Sequence, residues 1–382
     1  MKIVFLCYPT SNQEAPHQAM AAVALARLEN SVTYLAWGND LPADWLTECA
    51  KGIKYKIYPK RSWLSAFRFL AAVARTLILA RPDCLYVQGA HQTPFVLWLL
   101  CLPARFEVVY HTQDYLDPGQ NWFYETCERL FAKYADWVIS NEANRARFMA
   151  SSYRLERMPE VIRTAFPAWW QIPDRDETYR QALIQASGLG NVDCLKLIVA
   201  GGAYRVDRMS PQLLEALATL PTNYVAVFTA CPPGSTSRRL CEEHARRLKL
   251  DKRVIFCETP DYKDMLRLIA ACDIGILLYP NYCIGHFYQS PGRLTEYLRC
   301  GLPIVASNFP GLELLVMKHN LGEVADPYSP ASIAAAIRKL GDVLDPESAM
   351  RRQRLRQVAQ TDLAYETRAL PVFEKVFGAE AL

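Results

Sequence analysis

Short apolar runs alternate with longer segments of helical spacing along most of the chain. Runs at 2–9, 83–89 and 106–112 are examples from the first half, and helical segments separate them. The runs are rich in Val, Ile, Leu and Tyr and lack polar alternation, which is typical of strands buried on both faces of a parallel sheet. The pattern predicts α/β architecture with helices that cover both faces of each sheet.

The alternation stops between 165 and 190, where the segment 166–180 is rich in proline, tryptophan and charge. It resumes at 194–202 and ends before a tail of helical spacing. Because a domain ordinarily has roughly 100–200 residues, the length of 382 residues agrees with two domains. We predict two doubly wound α/β domains that face a cleft, and a C-terminal helix that crosses back to the N-terminal domain. The predicted ranges are 1–172, 173–358 and 359–382.

Composition and charge exclude several classes of protein. A formal net charge of +4 admits an anionic ligand or a membrane surface, and we find no nucleic-acid motif. Twelve cysteines are scattered without a CxxC pair, so we expect reduced, buried thiols and no zinc site or disulfide framework.

The chain starts directly with a strand pattern, and its longest apolar block, 94–103, is shorter than the roughly 20 residues that span a bilayer. We therefore expect a cytoplasmic protein. The segment 60–82 is basic and amphipathic, and two interpretations of it stay open. It either lies on an anionic membrane surface, at the inner face of the membrane, or is a crossover helix that packs on the sheet.

The segment SPGRLTEYLRCGLPIVAS, at 290–307, combines a turn, a charged helix start and a buried strand. Ser290 suits the N-cap and Pro291 the first helical position. The helix start would attract an anion, and Arg293 suits phosphate oxygens. Glu296 shares a face with Arg293 and suits the hydroxyls of a neighbouring sugar. The alternative is a capped helix with an ion pair three residues apart.

The whole segment from 290 to 316 resembles the donor-binding segment of GT-B glycosyltransferases, especially the family-4 type. Arg293 stands where that family usually has Lys. The chain shares these positions with the family: Ser290, Pro291, Leu294, Glu296, Tyr297, Gly301, Pro303, Gly311 and Glu313. The resemblance implies Rossmann-like domains, a role for Glu296 at the nucleotide ribose, and donor contacts from Ser290 and Pro291.

The resemblance also assigns roles to a basic loop that follows the predicted strand at 194–202. In the family such a loop carries an Arg and a Lys that clamp the donor diphosphate, which implies Arg205 and Arg208 here, next to Gly202. The alternative is a solvated basic loop. At the sugar end, the family often has a second Glu where this chain has Tyr288. We expect two other donor-binding residues to substitute for it, His286 and Gln289.

The N-terminal half contributes further candidates at its strand ends. His111, at the end of a buried strand, matches the family's His beside the donor sugar; the alternative is local hydrogen bonding. The first strand lacks the family's usual Gly-Gly pair. Glu142 and Arg145 either touch a substrate or cap a helix. The candidates for acceptor contacts are Tyr8, Asn12, His17 and Asp114.

The resemblance implies a hexosyltransferase that moves a sugar from a UDP- or GDP-sugar to an acceptor hydroxyl with retention, in glycan, polysaccharide or glycolipid biosynthesis. His111, Arg208 and Arg293 would be catalytic. The acidic run at 174–176 follows no strand, so we interpret it as a helix-start charge cluster and expect no catalytic metal. We expect no cofactor besides the donor, a saccharide or lipid-linked saccharide acceptor, and no nucleic acid. The alternatives are a nucleotide-sugar epimerase and a non-catalytic partner protein.

Overall fold

The computed structural model describes residues 1–7, 19–38, 52–59, 62–101, 106–113, 119, 121–188, 195–258, 261–342 and 344–378. The chain divides into two compact units. Unit 1 comprises Met1–Thr164 and Tyr365–Leu382, and unit 2 comprises Ala165–Ala364. The corresponding boundaries predicted from the sequence are 172/173 and 358/359.

Unit 1 is built on a parallel sheet of order β3-β2-β1-β4-β5-β6-β7. The direction of winding reverses at β1, which pairs with β2 on one side and β4 on the other. The described strands are β1 (Lys2–Cys7), β2 (Ser31–Trp37), β3 (Lys54–Tyr58), β4 (Cys84–Gln88), β5 (Glu107–Thr112), β6 (Trp137–Ser140) and β7 (Glu160–Val161). The described helices that connect them are α1 (Met20–Arg27), α2 (Trp63–Ala80), α3 (Trp122–Tyr134) and α4 (Ala143–Tyr153), with 3-10 helices at Ala90–Phe95 and Leu97–Cys101.

Unit 2 repeats this architecture around a parallel sheet of order β10-β9-β8-β11-β12-β13. Its strands are β8 (Lys196–Val199), β9 (Tyr224–Phe228), β10 (Val254–Phe256), β11 (Ile274–Leu277), β12 (Ile304–Ser307) and β13 (Gly322–Ala325). Its described helices are α5 (Glu177–Ser187), α6 (Ser210–Thr219), α7 (Thr236–Arg247), α8 (Tyr262–Ala271), α9 (Ile284–Phe287), α10 (Gly292–Arg299), α11 (Pro310–His319), α12 (Pro330–Asp342) and α13 (Leu344–Gln360), with a 3-10 helix at Val206–Arg208. Both sheets are parallel and wound from both sides, as the buried strand pattern predicted.

The last helix, α14 (Tyr365–Phe377), belongs to unit 1. Its Lys375 forms an ion pair with Glu160 and lies 5.8 Å from the centre of the Trp137 ring. The C-terminal helix therefore packs on the N-terminal domain, as predicted. Within the described residues, no helix is both long enough and apolar enough to cross a membrane.

The buried carboxylate of Asp273 links the adjacent strands β8 and β11 of unit 2. Asp273, just before β11, accepts a hydrogen bond from the Leu197 amide of β8 at 2.8 Å. It also forms an ion pair with Arg180 of α5 at 2.9 Å and lies 3.3 Å from Arg175. Because breaking such a buried pair leaves an uncompensated charge, this network holds the two central strands in register.

The acidic run before α5 is the helix-start cluster that the sequence predicted. Asp176 is the N-cap of α5, and its Oδ1 accepts a hydrogen bond from the Tyr179 amide at 3.0 Å. Asp174 forms an ion pair with Arg356 instead. Asp176 therefore caps α5, as predicted for this cluster, whereas Asp174 binds Arg356 of α13.

Candidate functional site

The candidate site of unit 2 lies where the winding of the sheet reverses, between β8 and β11. In doubly wound sheets, ligands bind beyond the carboxyl ends of the strands at this point. β8 ends at Val199 and is followed by Gly201 and Gly202, which have φ of +63° and +149°. These positive values favour glycine, and a Cβ on Gly202 would meet no atom within 4 Å, so the backbone there borders open space.

Tyr297 anchors α10 onto this part of the sheet. A Cβ on Gly275 of β11 would lie 2.4 Å from the Tyr297 ring, and a Cβ on Gly201 would lie 2.1 Å from its hydroxyl. The two glycines therefore leave the space that Tyr297 fills, and its hydroxyl donates to the Val199 carbonyl at 3.4 Å. This packing brings the start of α10 to the ends of β8 and β11.

The start of α10 differs from the prediction by one residue. Pro291, with φ −75° and ψ 134°, is the N-cap, and Gly292 is the first helical residue. The assignment of Ser290 to the N-cap and Pro291 to the helix was therefore wrong, because the extended ψ of Pro291 delays the first turn. A proline side chain cannot accept a capping hydrogen bond, so no side-chain cap occupies the N-terminal amides of α10. Those amides suit an anion.

Arg293 and Glu296 form an ion pair on α10, with Nη1 and Oε2 2.7 Å apart. The Glu296 side chain is only 1% exposed, and its Oε1 accepts a hydrogen bond from Tyr262 Oη at 3.1 Å. Burial is the largest single effect on the pKa of Arg293 and acts to lower it, but the carboxylate of Glu296 and the neighbouring tyrosine side chains together outweigh burial, so the pKa is raised. The ion pair offered as an alternative in the sequence analysis is therefore present, and it holds a permanent cation at the helix start.

The two arginines of the basic loop have different partners. Arg205 Nε lies 2.8 Å from Asp207 Oδ1, in a two-pronged ion pair whose arginine is 56% exposed. Arg208 instead lies over the ring of Tyr279, with Cζ 4.6 Å from the ring centre. Within the described residues, no carboxylate forms an ion pair with Arg208. The guanidinium of Arg208 therefore has donors to offer to a ligand.

Tyr279 is the residue that sequence reasoning missed. It follows the carboxyl end of β11, is buried, and contacts the guanidinium group of Arg208 and the ring of His286, the latter at 6.1 Å between ring centres. Ser307 fixes its backbone, since Ser307 Oγ accepts from the Tyr279 amide at 2.8 Å and donates to its carbonyl at 3.0 Å. The available signal was an aromatic residue directly after a buried strand at the switch point.

The sugar end of the predicted site is a tightly packed turn. Tyr288 is the C-cap of α9, and Gln289 follows it. A Cβ on Gly311 would lie 2.4 Å from the Gln289 amide nitrogen and 2.7 Å from the Tyr288 Cα. Gly311 therefore lets α11 press against this turn and fix its position. His286 lies on the preceding turn and contacts Tyr279, so the structure groups His286 with Arg208.

His111 occupies the carboxyl end of β5 in unit 1. It is buried, and its Nδ1 lies 2.8 Å from Tyr86 Oη. Burial lowers the pKa of His111 to about 3, so the ring is neutral near pH 7. It lines a cavity of about 10 Å³ together with Gln88, Arg163 and Tyr365. His111 belongs to unit 1, whereas Arg208, Arg293 and Glu296 belong to unit 2.

The remaining site candidates of unit 1 are Glu142 and the predicted acceptor residues. Glu142 is the N-cap of α4, and its Oε2 accepts hydrogen bonds from the amides of Asn144 at 2.6 Å and Arg145 at 2.9 Å. Of its two interpretations, the structure shows the helix cap. The predicted acceptor residues lie outside the described residues; they are Tyr8, Asn12, His17 and Asp114. The described residues contain no group of three or more His, Cys, Asp or Glu placed to hold a metal ion.

Comparison with known families matches both halves of the chain. Residues 195–359 match the model of glycosyl transferases group 1, and residues 15–163 match that of the glycosyl transferase 4-like domain. A glycogen synthase of Mycobacterium tuberculosis is 29% identical over 172 residues, which are 44% of this chain. The matched part spans only 39% of that relative's length.

Solved structures resemble the chain over nearly its whole length. The Anabaena protein Alr3699/HepE, crystallised with UDP-glucose, has a TM-score of 0.76 and 19% identity, over 98% of this chain and 99% of that one. Sucrose-phosphate synthase from Thermosynechococcus elongatus has a TM-score of 0.72 and 16% identity, over 99% of each chain. At these identities the likeness shows a shared GT-B fold.

Proposed function

Because this chain belongs to the GT-B glycosyltransferases of the family-4 type, we propose that it moves a sugar from a UDP- or GDP-sugar to an acceptor hydroxyl. The acceptor is a saccharide or a lipid-linked saccharide, the anomeric configuration is retained, and the product serves glycan, polysaccharide or glycolipid biosynthesis. UDP-glucose is the first donor to test, since the structurally similar Anabaena protein was crystallised with it.

One observation carries this proposal. Several groups meet where the winding of the unit 2 sheet reverses. They are Gly201–Gly202, the start of α10, which has no side-chain cap, and the guanidinium groups of Arg208 and Arg293. These backbone amides and guanidinium groups can donate hydrogen bonds to a diphosphate. They would stabilise the negative charge that develops on it as the bond to the donor sugar breaks. With this positive charge at the leaving group, the proposed reaction requires no metal ion.

The donor's ribose is assigned to Glu296. Each of its oxygens already has one partner, Tyr262 at Oε1 and Arg293 at Oε2, and a carboxylate oxygen has a second lone pair for a sugar hydroxyl. Because Glu296 is only 1% exposed, we expect the Arg293 side chain to move from the carboxylate towards the diphosphate as the donor binds. One charged contact of Arg293 is then exchanged for another.

The donor sugar is assigned to the turn around Gln289. In unit 1, a neutral His111 offers one ring donor or acceptor to a sugar hydroxyl without adding charge. His286 and Gln289 supply the polar groups at the position where Tyr288 replaces the family's usual Glu. We expect this turn, which Gly311 fixes, to determine which sugar is accepted.

A ligand screen followed by turnover tests the proposal. UDP, GDP, ADP and their sugars are added to the full chain, and a true donor at about 100 times its Kd should stabilise the fold by roughly 2.7 kcal/mol. Arg293→Ala and Glu296→Ala should remove the shift in melting temperature. Lys339→Ala, which breaks only the exposed pair with Glu323, should keep it.

Turnover then distinguishes the alternatives. Slow release of free nucleotide and sugar from the stabilising donor supports a transferase that lacks its acceptor, whereas an epimerised nucleotide sugar supports an epimerase. Stabilisation without any turnover supports a non-catalytic binder. The transferase proposal fails when none of the nucleotides or their sugars changes the melting temperature.

A further inference from the structure

Helix α2 presents an unusual outer face in unit 1. Its inner side packs on the sheet through Phe69, Val73 and Leu77, which are buried. At 100° per residue, the opposite side is a single stripe. Its residues are exposed, and apart from Ala71 they are large apolar side chains or arginines: Leu64, Phe67, Arg68, Arg75, Ile78 and Leu79. We name this stripe the α2 outer face.

The exposure of its apolar side chains is large. Phe67 is 59% exposed, Ile78 67% and Leu79 69%. A surface helix ordinarily carries charged and polar residues on its solvent side, with the apolar residues towards the core. The α2 outer face instead exposes an apolar strip to solvent. Exposed apolar patches of this kind indicate an interaction surface.

The charge of this region has one sign. Every charged residue between 52 and 82 is a lysine or an arginine. Arg68 and Arg75 lie within the apolar strip, and Lys54 and Lys56 are exposed on β3, which is the edge strand of the sheet. Without a nearby carboxylate in this segment, the basic groups attract an anionic partner.

The apolar exposure continues along the same side of the sheet. The strands β1 to β3 are added towards one edge of the sheet, and β4 to β7 are added towards the other edge. Because the crossover connections are right-handed, the helices that precede β4, β6 and β7 lie on one face of the sheet; these helices are α2, α3 and α4. The 3-10 helix Ala90–Phe95 contacts both α2 and α3. This helical layer exposes further large apolar side chains, which are Leu100, Trp122, Phe123, Leu130 and Phe148.

We propose that the α2 outer face docks on the surface of an anionic lipid membrane. An amphipathic helix with arginines beside an apolar strip lies in the plane of the membrane, with its apolar side chains at the acyl boundary and its guanidinium groups on lipid phosphates. A second copy of this chain suits the face less well, because a symmetric contact would bring the arginines of two copies together.

Vesicle flotation of the full chain tests this proposal without any nucleotide, so its failure is separate from failure of the proposed transferase activity. The wild type should float with vesicles of phosphatidylcholine and about 30% phosphatidylglycerol, and not with phosphatidylcholine alone. Binding should weaken between 0.1 and 0.5 M salt, since the charges are screened over about 10 Å at 0.1 M and less above it.

Two double variants separate the apolar and the charged contribution. Ile78→Ser with Leu79→Ser should lower the partition coefficient about 100-fold, because two large apolar side chains leave the interface. Arg68→Ala with Arg75→Ala should lower it about 25-fold, since each arginine at an anionic surface contributes about fivefold. All four positions are exposed, so melting temperatures should stay close to that of the wild type.

Matched controls come from unit 2. Leu314→Ser with Met317→Ser removes two exposed apolar side chains of α11, and Arg246→Ala with Arg247→Ala removes two exposed arginines of α7; both should bind like the wild type. The proposal is overturned when the wild type does not float with anionic vesicles, or when α2 variants and controls lose equal binding. It is also overturned when the wild type is a dimer in solution that Ile78→Ser with Leu79→Ser dissociates.

Discussion

Two buried side chains near the carboxyl edges of the two sheets, Arg293 in unit 2 and His111 in unit 1, differ in charge. In unit 2 this edge gathers ionised groups, with Arg208 over Tyr279 and the Arg293–Glu296 pair at the start of α10. In unit 1 the carboxyl end of β5 carries a buried and neutral side chain, His111 against Tyr86. The same parallel architecture therefore supports either a charged or an uncharged side chain beyond its strands, and the partners of each side chain decide which.

Burial alone does not explain the difference. Burial acts to lower the pKa of both His111 and Arg293, yet the pKa of Arg293 is raised and that of His111 falls to about 3. Arg293 has a carboxylate 2.7 Å away, whereas His111 has a phenol hydroxyl. An opposite charge at this distance compensates the lost hydration, and a neutral hydrogen bond does not.

The largest test of this comparison breaks the charged pair of unit 2. Arg293→Ala leaves the buried Glu296 uncompensated and should lower the free energy of unfolding by about 3 kcal/mol. Urea denaturation of Arg293→Ala, Glu296→Ala and the double variant measures the coupling. The double variant should be less destabilised than the sum of the single variants. Strict additivity would show that the pair does not hold the charge in place.

The second test removes the neutral group of unit 1. His111 has a native pKa of about 3 against about 6.5 when unfolded, so between these values the unfolded state binds the extra proton. The free energy of unfolding should therefore fall as the pH falls below 6.5, by about 2 kcal/mol at pH 5. His111→Gln should lack this contribution in urea denaturation at pH 7 and pH 5.

Glu128, a buried carboxyl group of unit 1, has the opposite pH dependence and must be present in both the wild type and His111→Gln. Glu128 has a pKa raised to about 7 because of burial, despite hydrogen bonds from Tyr110 and Tyr153. It stabilises the fold at low pH and loses this effect as the pH rises from about 4.5 through 7. Since Glu128 contributes equally to wild type and His111→Gln, their difference isolates His111. Identical pH profiles would contradict a neutral His111.

The features of the fold that depend on the burial of short segments and on the order of strands and helices could be predicted from the sequence. Apolar runs without polar alternation report strands buried on both faces, so both parallel sheets and the location of the α10 segment could be predicted. The neighbours of a side chain depend on tertiary packing instead. Arg208 and Tyr279 lie in different segments and meet only because β8 and β11 are adjacent. No spacing rule indicates that contact, and the partner of Arg205 depends on the conformation of its loop.

Tyr279 allows a test of whether ring stacking positions Arg208. A cation–π contact is worth about 1 kcal/mol, so Tyr279→Leu should lower kcat/KM for the donor several-fold, up to about tenfold. Tyr279→Phe keeps the ring and should stay within about twofold of the wild type. The loss should appear in kcat more than in KM if Arg208 acts on the developing charge. An equal loss in Tyr279→Phe would assign the effect to the hydroxyl instead.

The smallest expected effect concerns the exposed pair of unit 2, which contrasts with the buried one. Because solvent screens the Arg205–Asp207 pair, Asp207→Asn should change the free energy of unfolding by no more than about 0.5 kcal/mol. The same change removes the ion pair of Arg205 with Asp207 and a negative charge beside Arg208, so nucleotide affinity should rise about threefold at low salt and return to the wild-type value at 0.5 M salt. Calorimetric titration of the nucleotide measures this, with Lys339→Ala as a control for an unrelated exposed pair. A loss of affinity in Asp207→Asn would instead show that Asp207 holds Arg205 in its binding position, and the exposed pair would then resemble the buried one in function, though not in stability.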